Sequence, residues 1–177
     1  MKPIEYVTSL NKYYQSQGFP PYKWSEFETS SWTPFDKSLQ ESRIALISSA
    51  GGFKKDQDPF DAWAVNDLSF RQISTDTPYD SLKLHHNYFD HRDAVKDLNC
   101  VFPIQRFQEL EKAGVIGSLA PIAITLGMGR LYKRTALQTE TVPEIIDILQ
   151  NQNSDAVFLV AACPLDHHSV GLIARTI

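Results

Sequence analysis

The chain has 177 residues, a formal net charge of -4 at pH 7 and an apolar fraction of 42%. This length fits one domain with a proper hydrophobic core, and the charge argues against nucleic acid and anionic membranes as partners. The two cysteines, Cys100 and Cys163, form no disulfide framework and indicate a reducing compartment. The chain shows neither the apolar stretch of a signal peptide nor a membrane-spanning run, so we expect a cytoplasmic protein.

The first part of the chain predicts an appendage. Apolar residues over the range 4–14 have the spacing of a short amphipathic helix, which Gly18 ends. Aromatic side chains without a regular period follow. We predict that residues 1–42 form a helical and irregular N-terminal arm packed on a main domain of residues 43–177. An aromatic surface for docking a partner is the alternative, but aromatic side chains more often fill a core.

From residue 43 onward, apolar segments alternate with helical patterns. This alternation predicts an α/β fold, with a mainly parallel sheet and helices on both faces, as in a Rossmann-like or flavodoxin-like three-layer sandwich. A short strand is also predicted at Phe70–Ile73. The segments expected to share the main sheet are Ile44–Ser48, Leu82–Leu84, Ile122–Leu126 and Ala156–Ala162.

Cys163 follows the most apolar of these segments. The unbroken run Ala156–Ala162 predicts a strand buried on both faces, and helical spacing begins after Asp166. Cys163 is thus expected at the carboxyl end of a parallel strand, where open sheets bind ligands. A helix amino terminus lowers a thiol pKa, and we expect Asp166 to cap this helix while His167 and His168 add positive charge. A buried, inert cysteine is the alternative.

The first strand ends in Gly51 and Gly52, which is typical of a turn beside a ligand cleft. We interpret both glycines as substrate-binding. The G-x-G-x-x-G spacing is absent, so the sequence does not predict a dinucleotide site. Cys100 lies between apolar neighbours and is interpreted as a packing residue.

The densest polar stretch of the chain is the loop from His85 to Ala94. Its histidines and carboxylates, His85, His86, Asp90 and His91 among them, suit acid–base chemistry or metal binding. The spacing matches no established zinc motif, so no residue is assigned to a metal. Solvated loop histidines are the alternative.

Several ordered blocks of the chain resemble a single family. They are Ala45–Gly52, Asp67–Arg71, His86–Pro103, Gly117–Ala120 and the stretch from Asp155 to Cys163-Pro164. Together they resemble the selenoprotein B family of glycine, sarcosine, betaine and D-proline reductases. The resemblance implies that Cys163 takes the position of a selenocysteine or cysteine that attacks the substrate carbon, cleaves a C–N bond reductively and is regenerated by thiols. It also implies a partner subunit whose pyruvoyl group activates the amine.

One departure from the family bears on turnover. Asp166 stands where family members often carry a second cysteine, so Cys163 would need an external thiol, or Cys100, for regeneration. The function expected is a thiol-dependent oxidoreductase with an amine or amino-acid-like substrate, a partner subunit or second copy, and no cofactor beyond the external thiol. Cys163, His86, Asp90 and His91 are the catalytic candidates; Gly51, Gly52, Asp166, His167 and His168 are the substrate-binding ones. A Cys/His metal enzyme, with zinc, and a non-catalytic binding scaffold are the alternatives.

Overall fold

A computed structural model describes residues 5–21, 24–64, 66–127, 133–163 and 165–177. It divides into two compact units, residues 1–30 and 31–177. Ile4, the first residue of the predicted helix, and Pro164 of the last family block lie outside the described residues. The domain boundary at residue 42 stays a prediction.

The first unit contains one helix, α1, which spans Tyr6–Ser16 among the described residues. Gly18 follows it with a φ of 84°, a left-handed conformation that ends the helix as the sequence predicts. The Tyr6 and Trp24 rings meet edge to face, with centroids 6.3 Å apart.

The second unit holds the strands and the remaining helices. The strands are β1 (Arg43–Ser48), β2 (Gly52–Lys54), β3 (Phe70–Ser74), β4 (Leu82–Leu84), β5 (Ser118–Leu119), β6 (Ile122–Leu126) and β7 (Ala156–Val160). The helices are α2 (Arg92–Lys96), α3 (Ile104–Lys112), α4 (Arg134–Ala136), α5 (Val142–Asn151) and α6 (Asp166–Thr176). Single 3-10 turns lie at Leu39–Glu41, Tyr79–Ser81 and Leu98–Cys100, and a π turn at Leu137–Thr141 joins α4 to α5.

The main sheet is built around β1, as its buried apolar sequence predicts. β7 pairs in parallel with β1 from Ile44 to Ser48. On the other side of β1, β5 pairs with its first residues and β6 with its last, also in parallel. β3 adds an antiparallel strand beyond β6. The mainly parallel sheet of the sequence prediction is confirmed.

Alternate residues of β1 enter separate hydrophobic cores. Ile44 and Leu46 pack in one core with Phe102 and Phe107, which includes α3. Ala45 and Ile47 pack in the other, with buried residues of α5 and α6: Val142, Ile145, Leu149, Leu172 and Ile173. Because successive side chains of a strand point to opposite faces, this division places helices on both faces of the sheet. The predicted three-layer α/β architecture is therefore confirmed.

Two of the strand predictions are wrong in part. Leu82–Leu84 does not join the main sheet; as β4 it pairs antiparallel with β2, which begins at Gly52, where the glycine pair predicts a turn. β7 ends at Val160, and its Phe158 side chain is 47% exposed rather than buried. The reason is that β7, among the described residues, pairs only with β1.

Within the described ranges, the helices lack the length and apolar content needed to cross a membrane.

Candidate active site

The carboxyl ends of β1 and β7 lie side by side and form the floor of the site. Ser49 follows β1, and its N–H donates to the Val160 carbonyl at 3.0 Å. Its hydroxyl oxygen accepts a hydrogen bond from the Ala162 N–H at 3.0 Å. Because the two strands are parallel, these bonds fix Cys163 at the carboxyl edge of the sheet, just before α6. That part of the sequence prediction is confirmed.

Asp166 is the first residue of α6 and is fully buried. Its Oδ2 accepts a hydrogen bond from the Ser49 hydroxyl at 2.7 Å and another from the Cys163 N–H at 3.1 Å. The Asp166 N–H donates to the Cys163 carbonyl at 3.0 Å. The predicted N-terminal cap is wrong, because the N-cap position is Leu165 and the carboxylate turns back toward Cys163.

Gly51 lets the loop after β4 approach the end of β1 closely. Its φ is 69°, and a Cβ at this position would lie 2.6 Å from the His85 carbonyl oxygen and 3.3 Å from the His86 Cβ. The His85 N–H donates to the Gly51 carbonyl at 3.0 Å. A glycine is required for this contact, which carries the His86 side chain into the site. Gly52 is similarly close-packed, since a Cβ there would lie 3.3 Å from the Thr125 Cγ2.

His86 is buried, and its hydrogen bonding indicates its tautomer. The Tyr88 N–H donates to His86 Nδ1 at 3.1 Å, so the neutral ring carries its hydrogen on Nε2. Nε2 lies 3.3 Å from Asp166 Oδ2, a distance that suits an ion pair, although the angle is outside hydrogen-bond geometry. The Phe89 ring packs against the imidazole of His86 with centroids 4.9 Å apart, and it shields that side of the imidazole from solvent.

The thiol of Cys163 completes the cluster. The donor atoms of Cys163, His86 and Asp166 all lie within 4.8 Å of one another. Burial raises the pKa of Cys163 well above its usual range, and the negative charge of Asp166 raises it further. The predicted lowering of this pKa is wrong. The N–H groups of Leu165 and Asp166 do act in the predicted direction, but burial and the carboxylate outweigh them.

The remaining cysteine also departs from its prediction. Cys100 ends the 3-10 turn Leu98–Cys100 and is exposed, whereas Cys163 is buried. The interpretation of Cys100 as a packing residue is therefore wrong, because the residue is exposed.

His167 and His168 lie in the first turn of α6, with ring centroids 4.5 Å apart. Burial lowers the pKa of His168 to about 4, and the positive charges of His167 and Arg134 lower it further. His168 is therefore neutral at pH 7 and does not supply the positive charge that the sequence predicts there.

Asp90 and His91 lie outside the three-residue cluster. Asp90 is exposed and pairs with Arg92, whose Nη2 lies 2.5 Å from its Oδ2. The hydrogen bonds from Arg92 lower the pKa of Asp90 to about 2. His91 is half-buried against the Phe89 ring, at 6.0 Å between centroids. His85 places its Nδ1 2.6 Å from the Phe60 carbonyl oxygen.

The cluster has residue types that could hold a metal, but its hydrogen bonding favours a proton. A metal-bound histidine normally donates its second N–H to an acceptor. Here Nδ1 of His86 faces the Tyr88 N–H donor instead, which leaves the hydrogen on the nitrogen that points into the cluster. The arrangement suits a thiol, a carboxylate and a donating imidazole that share protons.

Sequence reasoning missed Ser49. It lies within the family block Ala45–Gly52. The signal that could have identified it as a site residue was its position directly after a predicted parallel strand. Phe89 was likewise read as part of the polar loop and not as the aromatic wall of His86.

The comparisons with known proteins show the family of the chain. The model of the family described as glycine/sarcosine/betaine reductase selenoprotein B matches residues 11–162. The chain belongs to this family. It is also 36% identical over 146 residues to the D-proline reductase subunit gamma of Acetoanaerobium sticklandii, which is 82% of this chain and 59% of that protein.

The chain spans about three fifths of the length of the curated relative, since the match covers 59% of it. The family match ends at residue 162, directly before Cys163. No solved structure matches the chain.

Proposed function

We propose that the chain is a thiol-dependent component of an amino-acid reductase, with Cys163 as the nucleophile. The observation that carries this proposal is the buried cluster of Cys163, His86 and Asp166 at the carboxyl edge of the sheet. Membership of the reductase family supports the reaction type.

The proposed chemistry has two steps. The Cys163 thiolate attacks the carbon that bears the nitrogen; a C–S bond forms, the C–N bond breaks, and its electron pair leaves with the nitrogen, which takes up a proton. An external thiol then attacks the sulfur of this thioether. The C–S bond breaks, the released carbon takes up a proton, and a mixed disulfide remains. A second thiol reduces that disulfide and restores Cys163, so two thiols are oxidised for each carbon reduced.

The names of the family and of the relative support a class of substrate for this proposal. The proposed substrates carry a nitrogen on the carbon next to a carboxylate, as an amine in D-proline, glycine and sarcosine and as a quaternary ammonium in betaine. A partner subunit with a pyruvoyl group would activate the amine, and a reducing, cytoplasmic setting would supply thiols. His86 Nε2–H would donate to the reacting sulfur. The other residues proposed to hold or protonate the substrate are Asp90, His91, Gly51, Gly52, His167 and His168.

The test is a substrate-dependent thiol oxidation assay. The chain is purified together with the subunits that accompany it, and dithiothreitol oxidation is followed with D-proline, glycine, sarcosine or betaine. We expect Cys163→Ser to abolish the substrate-dependent rate and the matched Cys100→Ser variant to retain it. Turnover that survives in Cys163→Ser would contradict the proposal.

The raised pKa of Cys163 favours a second candidate, a non-catalytic subunit that kept the scaffold. In that case no substrate supports thiol oxidation, and both cysteine variants assemble with the same partners as the wild type.

A further inference from the structure

We propose that Asp166 is the group that accepts the thiol proton of Cys163 as the sulfur reacts, and that Ser49 is the positioning residue that holds Asp166 for this transfer. The inference deepens the proposed function and rests on it for the identity of the reacting atom.

The geometry leaves one oxygen of Asp166 available. Oδ2 already accepts hydrogen bonds from the Ser49 hydroxyl and the Cys163 N–H. Oδ1 is buried and has no hydrogen-bond partner among the described residues. The sulfur of Cys163 lies within 4.8 Å of a carboxylate oxygen of Asp166. The proton therefore has a short path to a carboxylate whose orientation is fixed by two donors.

His86 is the other candidate base in the cluster, and its hydrogen bonding excludes it from that role. Its Nδ1 accepts the Tyr88 N–H, so its Nε2 already carries a hydrogen and has no lone pair for the thiol proton. The Nε2–H can instead donate to the thiolate once it forms.

Charge also favours transfer within the cluster over loss of the proton to water. With the proton on Asp166, the buried site carries one negative charge before and after the step, and the charge moves from oxygen to sulfur. Loss to water would leave a thiolate and a carboxylate within 4.8 Å of each other in a buried site. Buried like charges at such a distance repel strongly.

The step is balanced. The S–H bond breaks, an O–H bond forms on Asp166, and the sulfur electron pair forms the new S–C bond. When a later thiol restores Cys163, the proton returns from Asp166 to sulfur. With iodoacetamide as the probe, iodide is the leaving group.

The experiment measures alkylation by iodoacetamide in the full chain, with EDTA present, from pH 6 to pH 8. Peptide mass spectrometry resolves Cys163 from the exposed Cys100, which serves as the internal control. If Asp166 accepts the proton, the Cys163 rate changes less than about twofold over this range, because donor and acceptor are both internal. Cys100 follows its thiolate fraction and rises about tenfold per pH unit.

The variants separate proton transfer from simple repulsion. Asp166→Asn should convert the Cys163 profile to one that rises about tenfold per pH unit. Ser49→Ala should keep the flat profile at a rate at least about threefold lower. The matched Ser81→Ala, whose hydroxyl donates to the exposed Pro78 carbonyl, should match the wild type. A flat pH profile at a lower rate in Ser49→Ala indicates that Ser49 positions Asp166. Loss of the fold would instead expose Cys163 and give it the rising pH profile of Cys100.

A wild-type Cys163 rate that rises in parallel with Cys100, together with faster alkylation of Asp166→Asn at every pH, would overturn the inference. If Asp166→Asn does not fold, the wild-type profile decides: a flat profile supports the inference and a tenfold rise per unit contradicts it. The proposed function fails separately, in the substrate assay, and a flat profile without substrate turnover would leave only that proposal refuted.

Discussion

Gly51→Ala tests the close approach that brings His86 to Cys163. An alanine at the φ of 69° is strained by about 1–2 kcal/mol. Its Cβ would also lie 2.6 Å from the His85 carbonyl oxygen, and forcing backbone apart in a packed region costs about a further 1–3 kcal/mol. We therefore expect the free energy of unfolding to fall by about 2–5 kcal/mol.

Gly114→Ala is the matched control, because Gly114 has a φ of 68° but nothing within 4 Å of the added Cβ. This variant should lose only the conformational part, about 1–2 kcal/mol. At this chain length, each kcal/mol corresponds to about 2–4 °C in Tm. Thermal unfolding followed by circular dichroism should place Gly51→Ala clearly below Gly114→Ala, and only Gly51→Ala should alter the alkylation rate of Cys163. Equal Tm values for the two variants would refute the claim that contact with the His85 carbonyl fixes this loop.

Further predictions concern charge and metal. The Arg43 N–H lowers the pKa of Asp155, so the wild type should be more stable than Asp155→Asn above about pH 4, and denaturant titrations should show that advantage lost as the pH falls through the lowered pKa. The pKa of His168 is lowered to about 4, so the unfolded state binds more protons than the folded state below about pH 6.5. The free energy of unfolding of the wild type should therefore fall as the pH drops from about 6.5 to about 4, and denaturant titrations should show a smaller fall for His168→Gln. Asp90→Asn should leave the Cys163 alkylation profile unchanged, because Asp90 is exposed and paired with Arg92 outside the cluster; a changed profile would show that Asp90 acts on the thiol and not only on the substrate. Elemental analysis of the purified protein should find no stoichiometric metal, and about one zinc per chain that is lost in Cys163→Ser would instead support the metal-enzyme alternative.

The architecture was largely predictable, because the apolar patterns of the strands indicate which of them are buried in a sheet. The buried run of β1 and the apolar run of β7 predict parallel strands, and the alternation with helices predicts layers on both faces. Leu82–Leu84 was misassigned because three residues carry too little pattern to choose between sheets. Its partner strand, Gly52–Lys54, was not predicted because it begins within the pair Gly51 and Gly52, and a glycine pair also favours a loop.

The site was predictable in outline only. The position of Cys163 at the carboxyl edge follows from chain order. His86 was a catalytic candidate by residue type, but it reaches this edge through the loop after β4, a strand that belongs to another sheet. The sign of the Cys163 pKa shift was not predictable, because it depends on the depth of burial and on one side-chain rotamer. Asp166 turns toward the thiol rather than along the helix, and Ser49 holds it there.

The most direct test of the account is the identity of the residue that bonds to substrate. The chain, purified with its accompanying subunits, is incubated with D-proline while the reducing thiol is withheld, and its peptides are then mapped by mass spectrometry. The account predicts a thioether on Cys163 whose added mass equals that of the whole substrate, since the ring opens without losing its nitrogen. Substrate turnover on restoring the thiol, with no adduct on Cys163 or with the adduct on Cys100, would contradict it.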